Sequence, residues 1–410
     1  MLLIGIDWAD DHHDAAFMSE SGELLAELRF SHDQDGFDLL HERIKQYNTP
    51  AGQVLTAIET KHGLLVHDLL RSGFEVYALN PKAVNRYKDR LRSSSSKDDK
   101  FDARTMANIL RTDRHLHRPL QLCADDYRLL ERLCKDLKLV VYDITRLGNR
   151  LLDSLKEWHP ALLGVFGLDS GIFLELVAEY PTPSDVERIT QEQFNRFLKK
   201  HRYSAPAKAA QAFSQLTRRT PQADPVAIAA GRLKAKSIVD QLRVLYATRK
   251  AYEHDIKELL DKLPEADIIS SLPGVGNRLA PEIAAMFGPN LKDAPKRFEQ
   301  ARDLSDLAGA SPVTKQSGKF KAVLCRFGCD RNMRSIVRNW AGCSIKESRW
   351  AKAYYNWHAM QFESHETILR KLACKWIKIA FHLWKTGERY NEELHIAALK
   401  ARNVVWAASL

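Results

Sequence analysis

The sequence predicts an α/β amino-terminal domain built on a mixed sheet, then a helical coiled-coil middle, then a mainly α-helical carboxyl-terminal domain. Three observations predict it. Short apolar runs alternate with stretches of helical periodicity from residue 2 to residue 91. Two long stretches, 125–158 and 229–263, carry apolar side chains at helical spacing without interruption. Residues 268–288, IISSLPGVGNRLAPEIAAMFG, read as two helices joined by a Pro-Gly turn. At 410 residues the chain exceeds one ordinary core, and the expected boundaries are 1–122, 123–263 and 264–410.

LLIGID (2–7), DAAFMS (14–19) and ELLAELRFS (23–31) are expected as a three-strand meander, the last two separated by a Ser-Gly turn. An amphipathic helix over 36–47 precedes a fourth strand, QVLTAIE (53–59). A helix over 62–72 leads to a fifth strand, FEVYALN (74–80). Strands alternating with helices imply a sheet covered on both faces. Pro81 opens a helix to about residue 91, RLRSSSSK breaks it, and helix resumes near Asp98 toward Arg114. The two long helical stretches can pair antiparallel, with short helices and Pro-containing loops between them over 159–228. In LPGVG the glycines could let backbone approach a phosphate, a helix–hairpin–helix-like use, or could form an ordinary helix turn; nucleic-acid contact is the expectation.

The net charge of +10 favours a polyanionic partner such as DNA or RNA. From Lys292 to Lys352, 14 Lys and Arg stand against 6 Asp and Glu, so the carboxyl-terminal part is the more electropositive. With six cysteines in no CxxC pair and no basic leader in the opening MLLIGIDW, a reduced cytoplasmic chain is the expectation. The longest apolar runs fall short of a membrane span.

Acids stand where strands end: Asp7 closes the first strand and Glu59 the fourth. In KDDKFDA (97–103), a helical reading puts Asp99 and Asp102 on one face at i,i+3, where they either bind a cation together or cap a helix start. Four such carboxylates are the oxygen donors that metal-dependent phosphoryl transfer needs. Ser317, in KQSGK, lies between a loop and a basic run; Lys315, Lys319, Lys321, Arg326 and Arg331 could stabilise charge if it attacked a phosphate, although Ser-Gly is also an ordinary turn. Trp340, Trp350, Tyr354, Tyr355 and Trp357 are interleaved with basic residues and could stack on bases or fill a core.

GID at 5–7, AIET around Glu59, NPKAVNRYKDRLRSSSSKDDKFDA from Asn80, and LPGVG followed by GASPVTKQSGKFK resemble the RuvC-like DEDD transposases of the insertion-sequence "one-ten" family, recombinases of bacterial mobile elements. The resemblance spans nearly the whole chain. It implies a RuvC/RNase H-like fold for the first domain and a carboxyl-terminal transposase domain with a nucleophilic serine. By the same resemblance Asp7, Glu59, Asp99 and Asp102 hold Mg²⁺, with Mn²⁺ as a substitute, and Ser317 attacks DNA, Ser311 being the weaker match. Asp98 departs from the family pattern, occupying the place of a Ser or Thr. Partners implied are element and target DNA, a structured guide RNA, and further copies of the chain in a dimer or tetramer; the place of action is the nucleoid. The competing readings are a junction-resolving nuclease that uses water, and a non-catalytic nucleic-acid scaffold.

Overall fold

A computed structural model describes residues 1–91, 99–120, 123–289, 298–318, 320–361, 363–408 and 410, with backbone alone at 90, 91, 99, 206 and 207. It divides into two compact units, Met1–Cys123 and Ala124–Leu410.

The first unit is a five-stranded mixed sheet between helices. β1 (Leu2–Trp8), β2 (His12–Ser19) and β3 (Leu24–Ser31) form the antiparallel meander, and β4 (Val54–Ile58) and β5 (Glu75–Ala78) extend it in parallel, giving the order β3-β2-β1-β4-β5. Successive strand residues face opposite sides of a sheet, so the apolar run of β1 serves two cores. Leu2, Ile4 and Ile6 pack with Phe37, Leu40 and Ile44 of α1 (Gln34–Lys45) and Leu65, Val66 and Leu69 of α2 (Leu64–Arg71). Leu3 belongs to the opposite core, with Val84 of α3 (Pro81–Leu91) and Met106, Ile109 and Leu110 of α4 (Asp99–Asp113). Each fully buried side chain of this kind stabilises by about 1.5–3 kcal/mol, which fixes α4 on the sheet. The cap of α1 is as local chemistry requires: the Asp33 carboxylate accepts from the Gly36 N–H at 2.8 Å.

A polar group without a partner lies in the first core. Thr56 is fully buried on β4, and its hydroxyl has no hydrogen-bond partner. Valine has the same shape without the unsatisfied group, so Thr56→Val is expected to raise unfolding free energy by about 1 kcal/mol, read by urea denaturation.

The second unit opens with α5 (Asp125–Trp158), followed by the short helices α6 (Gly171–Glu179), α7 (Pro183–Glu187), α8 (Gln191–Lys200) and α9 (Pro206–Leu216), and then by α10 (Pro225–Asp261). Trp158, at the end of α5, lies against Gly231 near the start of α10. Tyr127, near the start of α5, donates to Glu265 just past the end of α10, so the two helices run antiparallel. Leu147, Leu151 and Leu155 of α5 meet Ile238, Val239 and Leu242 of α10 in a core closed by Phe173, Phe194 and Phe197 of the short helices.

Beyond it come α11 (Ala266–Ser270), α12 (Leu279–Phe287), α13 (Ala301–Leu307), a hairpin of β6 (Val313–Ser317) and β7 (Phe320–Leu324), and α14 (Arg331–Glu347), α15 (Arg349–Met360), α16 (His365–Thr386) and α17 (Glu392–Ala401). Tryptophans hold this part together. Trp340, Trp350 and Trp376 are fully buried, and their indole N–H groups donate to Pro273 O, the Tyr390 hydroxyl and Ser344 Oγ at 3.0, 2.7 and 2.7 Å. This corrects the base-stacking expectation for Trp340, Trp350 and Tyr354, which are core residues at helical spacing. Tyr355 bonds His365 at 2.8 Å, and Trp357 alone of the five is exposed. Among the described residues, no helix is long and apolar enough to cross a membrane.

Candidate active site

Ile6 of β1 pairs with Ile58 of the parallel strand β4, so the next residues, Asp7 and Glu59, leave adjacent strands side by side. Because Ile6 and Ile58 face the α1/α2 core, Asp7 and Glu59 turn to the α4 side. Gly5 then decides where α4 lies. A Cβ there would stand 1.9 Å from Ala103 O and 2.5 Å from Ala107 N, so only glycine lets the α4 backbone rest on β1. With Ala103 seated on Gly5, the preceding residue, Asp102, reaches the ends of β1 and β4. The motifs GID and FDA are thus two halves of one contact.

Asp7, Glu59 and Asp102 line a single open pocket of about 570 Å³, whose other walls include Trp8, His12, Asp14, Asn85 and Lys88. The Lys88 ammonium is ion-paired with the Asp102 carboxylate. Burial pushes the Glu59 carboxyl above the usual range; the Lys88 charge opposes this and the Asp102 charge adds to it. Among the described residues, oxygens of the three acids do not converge within 4.8 Å of one another. The donors that do so are Glu175, Glu179 and His201 in the second unit, where Arg243 holds Glu175 at 2.7 Å and Lys200 and His201 hold Glu179 at 2.6 and 2.7 Å. That group is a satisfied ion-pair network.

Carboxylates dominate the donors of the pocket, with Asp7, Asp14, Glu59 and Asp102 beside His12 and Asn85, and hard oxygen donors suit Mg²⁺ or Mn²⁺. The Lys88 ammonium already places one positive charge on Asp102. Asp99 begins α4, and its side chain lies outside the described residues, as do Asp98 and the serine tract.

Gly5→Val tests the crossing of α4 on β1. Backbone atoms cannot step aside as a flexible side chain can, so the substitution is expected to cost about 3 kcal/mol in unfolding free energy, measured with urea. Activity should fall further than stability, because the displaced helix carries Asp102.

Ser317 belongs to the second unit. It is the last residue of β6, paired with Phe320 across a turn in which Gly318 has φ +53°, and it is exposed. The segment expected as a loop is therefore a hairpin with the serine at its tip. Lys315, two residues before Ser317, shares its face of the hairpin, whereas Lys321 pairs with Gln316 and faces the other side. Arg331 is exposed at the start of α14, and Lys319 lies outside the described residues. Arg326 is spent internally, on Asp306 at 3.2 Å. Ser311 is half-buried, its N–H on Ser305 O.

The two glycines of the LPGVG turn differ: Gly276 is exposed with open space beside it, whereas Gly274 is a packing position. Gly274, at φ +77°, is buried; its N–H donates to Glu347 Oε2 at 2.7 Å, and a Cβ would meet Ser344 N at 2.5 Å. Glycine is there so that α14 can approach closely. All nine residues of α12, the second helix of the pair, are buried as well.

Among the pocket residues that the sequence reading did not single out are Asp14 and Lys88. Asp14 lies directly opposite Asp7 in the β1/β2 register, and Arg29 holds its carboxylate at 2.7 and 3.0 Å. Lys88 follows Pro81 and Asn85 at i, i+4 and i+7 on α3, the stripe that faces the pocket. Pairing across the expected β1–β2 turn and the helical stripe were the available signals.

Residues 4–160 match a family model described as Transposase, of the DEDD IS110 type, and residues 266–356 match one described as Transposase IS116/IS110/IS902 family. The chain is 30% identical over 413 residues to the "Mini-circle putative transposase for IS117" of Streptomyces coelicolor, with 97% of each chain covered. It is 23% identical over 401 residues, 96% of each chain, to the "Insertion element IS110 uncharacterized 43.6 kDa protein" of the same organism. To the "Insertion element IS116 uncharacterized 44.8 kDa protein" of Streptomyces clavuligerus it is 29% identical over 329 residues, 78% of each chain.

Proposed function

From the premise that the chain belongs to the IS116/IS110/IS902 family of transposases, we propose that it joins element and target DNA through a covalent serine–DNA intermediate, with Mg²⁺ held by its amino-terminal acids. The observation that carries the metal half is the meeting of Asp7, Glu59 and Asp102 on one open pocket. Asp99, at the first turn of the helix that bears Asp102, is assigned as the fourth acid.

When bound, Mg²⁺ would supply charge to neutralise the reacting phosphate and its leaving oxygen. The carboxylates of Asp7, Glu59, Asp99 and Asp102 would hold that ion, and the pocket is open enough for a DNA backbone to reach it. Ser317 acts as nucleophile: its Oγ–P bond forms as the bond from phosphorus to a DNA oxygen breaks, and the net proton passes from the serine hydroxyl to the departing oxygen. Lys315, on the same hairpin face, offsets charge on the phosphate; Lys319, Lys321 and Arg331 bind the flanking backbone. Arg326, tied to Asp306, orders the base of the hairpin instead. Attack of a second DNA end on the serine ester completes the exchange and regenerates the hydroxyl.

The surplus of ten positive charges supports a further polyanion, and by family resemblance that partner is a structured RNA encoded with the element. Leu129, Leu139 and Tyr142 of α5 and Leu233 and Val244 of α10 are exposed apolar residues on the long helices, which supports self-association there. The test is a reaction of purified protein and its RNA with element-end and target DNA, in Mg²⁺ and in EDTA. Joined products in Mg²⁺ alone are expected; cut but unjoined DNA would mean hydrolysis in place of transfer.

A further inference from the structure

The Lys88–Asp102 ion pair has no part in the chemistry above, yet it occupies one of the carboxylates assigned to the metal. It is a sheltered pair: the Lys88 side chain is 23% exposed and that of Asp102 15%. It is also placed by design of the helix, since α3 turns Pro81, Asn85 and Lys88 to the pocket in one stripe. A lysine ammonium and a divalent ion on one carboxylate disfavour each other, because like charges about 4 Å apart repel where water is partly excluded.

We propose that Lys88 is an internal cation that competes with the divalent ion for Asp102, holding the acid pocket together until the ion loads and being displaced from Asp102 as it does. The inference rests on the metal reading of the pocket. It makes Lys88 a positioning residue with two opposed effects: it steadies a pocket lined by several acids, and it weakens metal affinity. A lysine that served only to fasten α3 to α4 would have the first effect without the second.

The test is Mn²⁺ binding to the full-length protein by titration calorimetry, with thermal unfolding in EDTA and in saturating Mn²⁺. Lys88→Met is expected to bind Mn²⁺ roughly tenfold more tightly than wild type, the loss of one competing ion pair. Its melting temperature in EDTA should fall and its rise on adding Mn²⁺ should grow. Lys88→Arg, which keeps the competing charge, should bind no more tightly than wild type. Lys88→Gln carries the same prediction as Lys88→Met if the latter does not fold. Unchanged or weaker Mn²⁺ binding by Lys88→Met or Lys88→Gln would overturn the inference. Asp102→Asn separates the two levels: if it binds Mn²⁺ as wild type does, the metal reading of the pocket fails and this inference with it. If Asp102→Asn loses binding while removal of Lys88 changes nothing, the metal reading stands and the role of Lys88 alone is refuted.

Discussion

Ser317→Ala is expected to lower strand joining by at least about 10³-fold, the size of effect seen when a covalent nucleophile is removed, and to abolish any protein–DNA adduct. The fold should not notice. Ser317 is exposed at the end of β6, its backbone pairs with Phe320, and alanine keeps that pairing, so unfolding free energy should stay within about 0.5 kcal/mol of wild type. Ser311→Ala is the matched control: its serine is half-buried in the bend before the hairpin, and joining should persist. Gel assays of joined DNA and urea unfolding on the same preparations separate loss of chemistry from loss of structure.

Asp7→Asn is expected to have an effect of similar size by a different route. The amide has the shape of the carboxylate but neither its charge nor its second acceptor oxygen, so the pocket loses a donor at the end of its central strand. Joining should fall by about 10³-fold or more, with DNA binding retained, since the basic surface is untouched. Glu59→Gln should behave alike, because Glu59 leaves the neighbouring parallel strand at the same level. Retention of joining by Asp7→Asn would remove Asp7 from the catalytic set.

Much of this was legible in the sequence because period-2 alternation and burial agree. LLIGID reads as a strand with two covered faces, and an acid that ends such a strand emerges where the strands of the sheet stop. That Asp7 and Asp102 line one pocket accords with the family resemblance, but its cause was not legible: no local pattern announces that Gly5 is the seat of α4. Asp14 and Lys88 were missed because each reads alone as a solvated charge; strand register and helical stripe bring them to the pocket.

The carboxyl-terminal half was harder, since its signals are ambiguous at short range. VTKQSGKF is polar enough to read as a loop, and tertiary context makes it a hairpin. PGVG, expected as a phosphate turn, could also be a packing turn, and the Glu347 carboxylate on Gly274 N–H shows that its first glycine serves packing. Tryptophans beside arginines look like a stacking surface until the burial of Trp340 and Trp350 shows a core.

The central claim is that the acids and Ser317 belong to one reaction. Its most direct measurement is mass spectrometry of protein quenched during reaction with element-end DNA. The account predicts a nucleotide phosphate on the peptide carrying Ser317, formed with Mg²⁺ in wild type and absent from Asp7→Asn. DNA cut in Mg²⁺ with no adduct, or an adduct on another residue, would contradict it.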